Sequence, residues 1–212
     1  MKALIIGATG VTGRDLVQEL LQDRDYTEIV IFVRHSSGMV HSKLVEVETN
    51  FDRLEHVSEF IKGDVWFSCL GTTLKIAGSR EKQWHIDYDI PAAFAEIAKR
   101  NGVPKVVLLS AYGASASSKI FYSKIKGCLE EKIAGLLFDQ HIIFRPGLLL
   151  RKNTDRMGER ISAGVLKFLN SLGLIRRYRP MPTFILAQKL ARAPKVFPAG
   201  VHFVELNKIF EL

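Results

Sequence analysis

The strongest constraint on this chain lies at its start. Lys2 to Ile6 is a short aliphatic run without polar alternation, followed at once by Gly7-Ala8-Thr9-Gly10-Val11-Thr12-Gly13 and then by Leu16, Val17, Leu20 and Leu21 at helical spacing. An unbroken apolar run of that length suits a parallel strand covered on both faces. A second run, Glu28 to Val33, completes a β-α-β unit. The alternation continues with a weaker strand at Leu44 to Val47, a short helix at Leu54 to Ile61 and a strand at Val65 to Leu70. Next come a helix within Glu81 to Arg100 that stops at Asn101-Gly102, a strand at Lys105 to Leu109, a helix at Lys119 to Leu137 and a strand at His141 to Phe144. Beyond Arg145-Pro146-Gly147, Ile161 to Leu172 and Ile185 to Ala193 read as helices and Val201 to Leu206 as a late apolar stretch. With no long antiparallel signal, the pattern predicts one α/β domain over residues 1–212. Its core would be a doubly wound parallel sheet with a small C-terminal helical addition, and residues 151–212 would form a small substrate or partner segment. The composition, 47% apolar and 25% charged over 212 residues, suffices for one core.

The loop Gly7 to Gly13 sits between a predicted strand and a predicted helix, the context that separates a dinucleotide fingerprint from chance glycines. Gly7 permits the sharp turn, Gly10 lets a pyrophosphate approach the backbone, and Gly13 lets the helix pack close to its strand. The helix N-terminus then meets negative charge. The first gap differs from that of the usual Gly-x-Gly-x-x-Gly. The end of the second strand selects the dinucleotide. An acid there would bond the adenine ribose and repel the extra phosphate of NADP, but this chain has Arg34, followed by His35 and Ser36. A guanidinium clamps a 2′-phosphate through paired charge-assisted hydrogen bonds, so NADP(H) is the expected cofactor, with Arg34 and His35 beside the phosphate.

Tyr122 and Lys126 stand four apart on a predicted helix and share a face. A free tyrosine is a poor acid or base at neutral pH, its pKa being about 10. A nearby cation brings it into range. Ser110, after the predicted strand at Lys105 to Leu109, is placed to hydrogen-bond a substrate oxygen.

Five stretches together resemble the short-chain dehydrogenase/reductase superfamily and, within it, the atypical group of Tat-interacting-protein-like oxidoreductases. They are Gly7 to Gly13, Cys69-Leu70-Gly71-Thr72-Thr73, Ser110-Ala111-Tyr112-Gly113-Ala114, Phe121 to Gly127 and Phe144-Arg145-Pro146-Gly147. The resemblance implies a Rossmann fold binding NADP(H) through Gly7, Ala8, Thr9, Gly10, Val11, Thr12 and Gly13, with Leu70, Gly71 and Thr72 lining the groove. It also implies Tyr122 as proton donor or acceptor, Lys126 on the nicotinamide ribose, and Arg156 in Arg156-Met157-Gly158-Glu159 as a further cofactor contact. Where many members carry an asparagine that completes a proton relay, this chain has Asp87, and a carboxylate cannot donate as an amide does. Ser115, Ser117 and Ser118 are the alternatives to Ser110.

The expected activity is therefore hydride transfer between NADPH and a small carbonyl or alcohol substrate, with Tyr122 and Lys126 moving the proton. The alternative is an NADPH-binding regulatory or scaffold protein with little turnover. The formal charge is +8, but residues 1–106 hold 13 basic and 15 acidic side chains whereas residues 107–212 hold 17 and 7. The excess gathers in 151–195, where eleven Lys and Arg face only Asp155 and Glu159. No stacking pattern accompanies it, so nucleic acid is not expected, while a homodimer or protein partner at this segment stays open. The apolar runs are far shorter than the roughly 20 residues that cross a bilayer. With two cysteines, Cys69 and Cys128, and no secretory pattern, the expected location is cytoplasmic.

Overall fold

The computed structural model describes residues 1–150 and 179–212. The chain runs β1 (Lys2–Ile6), α1 (Val11–Gln22), β2 (Glu28–Val33), β3 (Leu44–Glu48), a 3-10 segment (Phe51–Phe60) and β4 (Val65–Ser68). It continues through α2 (Leu74–Ala77), α3 (Arg80–Trp84), a π-helical turn (His85–Asp89), α4 (Ile90–Arg100), β5 (Lys105–Leu109), α5 (Phe121–Ala134) and β6 (Gln140–Arg145). The remaining elements are β7 (Leu149–Leu150), β8 (Met181–Pro182), α6 (Thr183–Val196), β9 (Gly200–Glu205) and α7 (Lys208–Glu211).

Among the described residues seven strands form one sheet in the order β3-β2-β1-β4-β5-β6-β9, every neighbouring pair parallel. The doubly wound α/β Rossmann architecture expected from the sequence is what the chain adopts. The unbroken apolar runs follow from cover on both faces. Successive strand residues point to opposite sides: Ala3, Ile5, Ile31 and Phe67 pack with Leu16, Val17 and Leu20 of α1 and Leu186 and Leu190 of α6. Leu4, Ile6, Phe32 and Trp66 pack with Phe94 and Ile97 of α4 and Leu129 and Ile133 of α5. Each of the buried Leu, Ile, Val and Phe side chains contributes about 1.5–3 kcal/mol. Phe94 anchors the second layer, stacked on Trp66 (centroids 5.2 Å apart) and edge-on to Phe32 (5.0 Å).

Several boundaries differ from the sequence reading. The helix expected at Leu54 to Ile61 is a 3-10 segment that begins earlier, where Asn50 accepts the Asp52 N–H and starts the turn. The expected Glu81 to Arg100 helix is α3, a π turn and α4 in series. The C-terminal stretch supplies not only helices but β9, which extends the sheet beside β6 from Gln140↔Gly200 to Arg145↔Glu205. No helix among the described residues is long and apolar enough to cross a membrane.

From β1 the chain winds outward through β2 to β3, then crosses back to β4 on the other side of β1. A crevice opens at such a reversal, at the carboxyl ends of the strands. Gly7 ends β1 there with φ +80, and a Cβ on it would lie 2.5 Å from the Cys69 carbonyl carbon. Only glycine lets the two strand ends come this close.

Candidate cofactor and active site

A cleft of about 600 Å³ occupies this position. Its floor is Gly10, Val11 and Thr12 on one side and Cys69, Leu70, Gly71 and Thr72 on the other, and its far wall is Ser110, Ile120, Phe121, Tyr122 and Lys126. The Gly10 N–H bonds the Gly7 carbonyl (3.0 Å), and Gly10 itself caps α1. No side chain caps this helix and no acid stands in its first turn. Its leading N–H groups, which have no intrahelical carbonyl to bond, therefore face the cleft as a positive end suited to an anion. Gly13 sets the distance between helix and strand: a Cβ on it would sit 2.0 Å from the Gly7 carbonyl oxygen. These features fit a dinucleotide pyrophosphate. Ala8 is wholly buried beneath the loop and Thr9 is exposed on it.

On the far wall, α5 carries Tyr122 and Lys126 on one face. The phenol side chain is 41% exposed at the cleft, whereas Lys126 is 3% exposed, its ammonium 5.9 Å from the Tyr122 ring centroid. The ammonium donates to the Leu70 carbonyl (3.3 Å), tying α5 to the loop after β4. Ser110 also lines the cleft, held by its N–H to the Phe144 carbonyl (2.8 Å). Its hydroxyl donates to Glu130, which Arg145 grips through Nε at 3.0 Å and a second guanidinium nitrogen. Arg145 reaches Glu205 of β9 at 2.8 Å as well. These carboxylates hold the guanidinium's pKa above its usual value, the Glu130 hydrogen bond being the largest cause.

The sequence reading missed Glu130 and Arg145. The signal was present: Tyr122, Lys126 and Glu130 repeat every fourth residue along one face of α5. Ser115, Ser117 and Ser118 are turned elsewhere. The first two hydroxyls bond each other (2.9 Å), and Ser118 accepts the Ile120 N–H.

Arg34 and His35 follow β2, on the same sheet edge as the glycine loop, and both are exposed. Among the described residues Arg34 has no hydrogen bond or ion pair. The nearby acid, Glu46, accepts from the Ser37 hydroxyl and N–H, and these bonds hold its carboxyl below the usual range. Arg156 and most of the 151–195 basic cluster lie outside the described residues. Of the remainder, Lys195 pairs with Asp23 and Asp25, and Arg179 lies over Phe210.

Residues 7–137 match the NAD(P)H-binding family. The chain belongs to this family. Among its relatives, the Scheffersomyces stipitis protein FMP52-1, mitochondrial, is 32% identical over 224 residues, spanning 100% of this chain and 98% of that protein. Protein HTATIP2 of Rattus norvegicus is 34% identical over 173 residues, or 79% of this chain and 70% of the relative. The resemblance to the atypical short-chain dehydrogenase/reductase group therefore holds. In fold, this NAD(P)H-binding protein is similar to a UDP-glucose 4-epimerase of Thermotoga maritima, with a TM-score of 0.73 at 14% identity over 100% of this chain and 81% of the epimerase. The expected cytoplasmic location is corrected. The Scheffersomyces relative and further fungal relatives are named mitochondrial, and neither the unpaired cysteines nor the absence of a secretory pattern separates the two compartments.

Proposed function

We propose that this NAD(P)H-binding protein is an NADPH-dependent oxidoreductase acting on a small, largely apolar carbonyl or the corresponding alcohol. One observation carries the reading: the uncapped N-terminus of α1 and the Tyr122–Lys126 face of α5 open onto the same cleft at the reversal point of the sheet. When bound, the reduced nicotinamide supplies a hydride to the carbonyl carbon. Gly10, Val11 and Thr12 hold the pyrophosphate, Leu70, Gly71 and Thr72 line the groove, and Arg34 with His35 receives the 2′-phosphate. The Tyr122 phenol gives its proton to the carbonyl oxygen, and the Lys126 ammonium beneath the ring steadies the phenolate left behind. Ser110 orients the same oxygen once its hydroxyl turns from Glu130. Val11, Leu74, Ile76, Ile120 and Phe121 form an apolar rim around the cleft, which supports an uncharged substrate. Residues 1–212 act as one domain in this reading, with 151–212 completing the substrate side. The names of the fungal relatives support a mitochondrial setting.

The test is NADPH consumption against aldehydes, ketones and quinones. Tyr122→Phe is expected to lower kcat by about 100-fold or more while NADPH still binds; equal rates would remove Tyr122 from the mechanism. The bond from Ser110 to Glu130 favours a second reading, an NADPH-binding regulatory protein with little turnover. Tight NADPH binding with no consumption across the whole panel would select it.

A further inference from the structure

Behind the cleft lies a buried acid that the proposed reaction leaves unused. Asp87 is fully buried, within the π turn between α3 and α4. A π turn adds a residue to the helical course and re-aims the side chains it carries. One carboxyl oxygen, Oδ1, accepts the Thr72 N–H at 2.7 Å and so shapes the loop after β4. The other, Oδ2, has no hydrogen-bond partner among the described residues. Asp87 Oδ1 and Lys126 Nζ flank Gly71: a Cβ on that glycine would stand 4.0 Å from the first and 3.5 Å from the second. Two buried ionisable groups of opposite sign thus share one small space, open because residue 71 has no side chain.

We propose that Asp87 is a positioning residue and the counter-charge of Lys126, and through Lys126 sets the pH at which the Tyr122 phenol exchanges its proton. The proposal rests on the reading of Tyr122 and Lys126 as the proton-transfer pair. The other groups around Asp87 leave this role to Lys126. From α3 comes Gln83, uncharged, its side-chain amide donating to the Thr72 carbonyl at 3.4 Å. Cys69, from the end of β4, is a neutral thiol that burial pushes up to about 12. Glu130, one turn further along α5, is gripped by Arg145. On the π turn itself, His85 faces Asp52 and Asp89 at the surface. Glu96, Lys99 and Arg100 of α4 pair with Lys132, Asp139 and Glu55. Burial pushes the Asp87 carboxyl up, and the Lys126 charge, followed by the Thr72 N–H and the Gln83 amide, opposes that rise.

Asp87→Asn keeps an oxygen for the Thr72 N–H but removes the charge; Asp87→Ala removes both. Tyr122 is titrated by ultraviolet difference absorbance, with Tyr122→Phe as the blank, and NADPH affinity is measured alongside. Asp87→Asn is expected to bind NADPH within about twofold of wild type and to lower the phenol midpoint by about half a unit or more, because a negative charge that opposes phenolate has gone. Asp87→Ala is expected to weaken NADPH binding by about tenfold as well, through the loosened loop. If Asp87 only shapes the loop, Asp87→Asn leaves the midpoint in place, and the proposal is overturned. Should neither variant fold, Lys126→Met supplies the reading: relative to wild type it must lose stability as pH rises from about 4 to 7, because an unpaired carboxylate is then buried. A parallel profile overturns the proposal. A failure of the underlying reading looks different, since Tyr122→Phe would then turn over at the wild-type rate.

Discussion

At the residue scale, the proposed preference for NADPH comes down to one side chain. Arg34 stands exposed at the end of β2, where the proposed reading puts the adenine ribose, and its guanidinium is committed to no partner among the described residues. A charge-assisted pair to a 2′-phosphate is worth about 1.5–3 kcal/mol. Arg34→Ala is therefore expected to weaken NADPH binding by about 10- to 100-fold and to leave NADH binding unchanged. Calorimetric titration with both cofactors checks this, and equal losses would assign the discrimination to another group. The sequence made the place of Arg34 readable, because a buried apolar run ending at Val33 is a local signal. Asp87 was less readable: its place in the chain was plain, but its burial and its position across Gly71 from Lys126 depend on a π turn that periodicity does not reveal.

At the element scale, the site depends on how closely α1 lies against β1. The distance is set by Gly13, whose hydrogen occupies the only space left beside the Gly7 carbonyl. Gly13→Ala must push the helix outward and is expected to cost about 3 kcal/mol of stability as an overpacked contact. Even if the chain still folds, the leading N–H groups of α1 move off the position proposed for the pyrophosphate. Urea unfolding together with NADPH titration reads both effects; a variant with wild-type stability and affinity would refute the spacing argument. On its outer side α1 is bound to α6, where Thr183 donates to Asp15 (2.6 Å), and Tyr26, just beyond α1, donates to the Ala191 carbonyl (2.8 Å). The sequence indicated both helices by periodicity, but nothing in it paired segments that are some 165 residues apart.

At the scale of the whole molecule, the wide parallel sheet buries groups that the sequence gives no reason to think buried. His141, the second residue of β6, is 1% exposed, and neither ring nitrogen has a hydrogen-bond partner among the described residues. Burial lowers its pKa to about 4. The folded state therefore binds this proton less readily than the unfolded chain, whose histidine titrates near 6.5. The stability that His141 permits is intact above pH 6.5 and falls as pH drops from there to about 4, by about 3 kcal/mol in all. His141→Phe is expected to flatten that part of the profile. Urea midpoints of both proteins at several pH values between 7 and 4 would show it, and parallel curves would exonerate His141.

By itself the sequence determined the fold class, the glycine-loop floor of the cleft and the Tyr122–Lys126 face, because each rests on contacts within a few residues: strand run, turn, helix repeat. Tertiary structure decided what depends on distant segments meeting. It set β9 beside β6, joined Ser110 to Glu130 and Arg145, and brought Asp87 and Lys126 to either side of Gly71. Local spacing fixes which side chains share a face, but the charge and partners of a buried group depend on which other elements close over it.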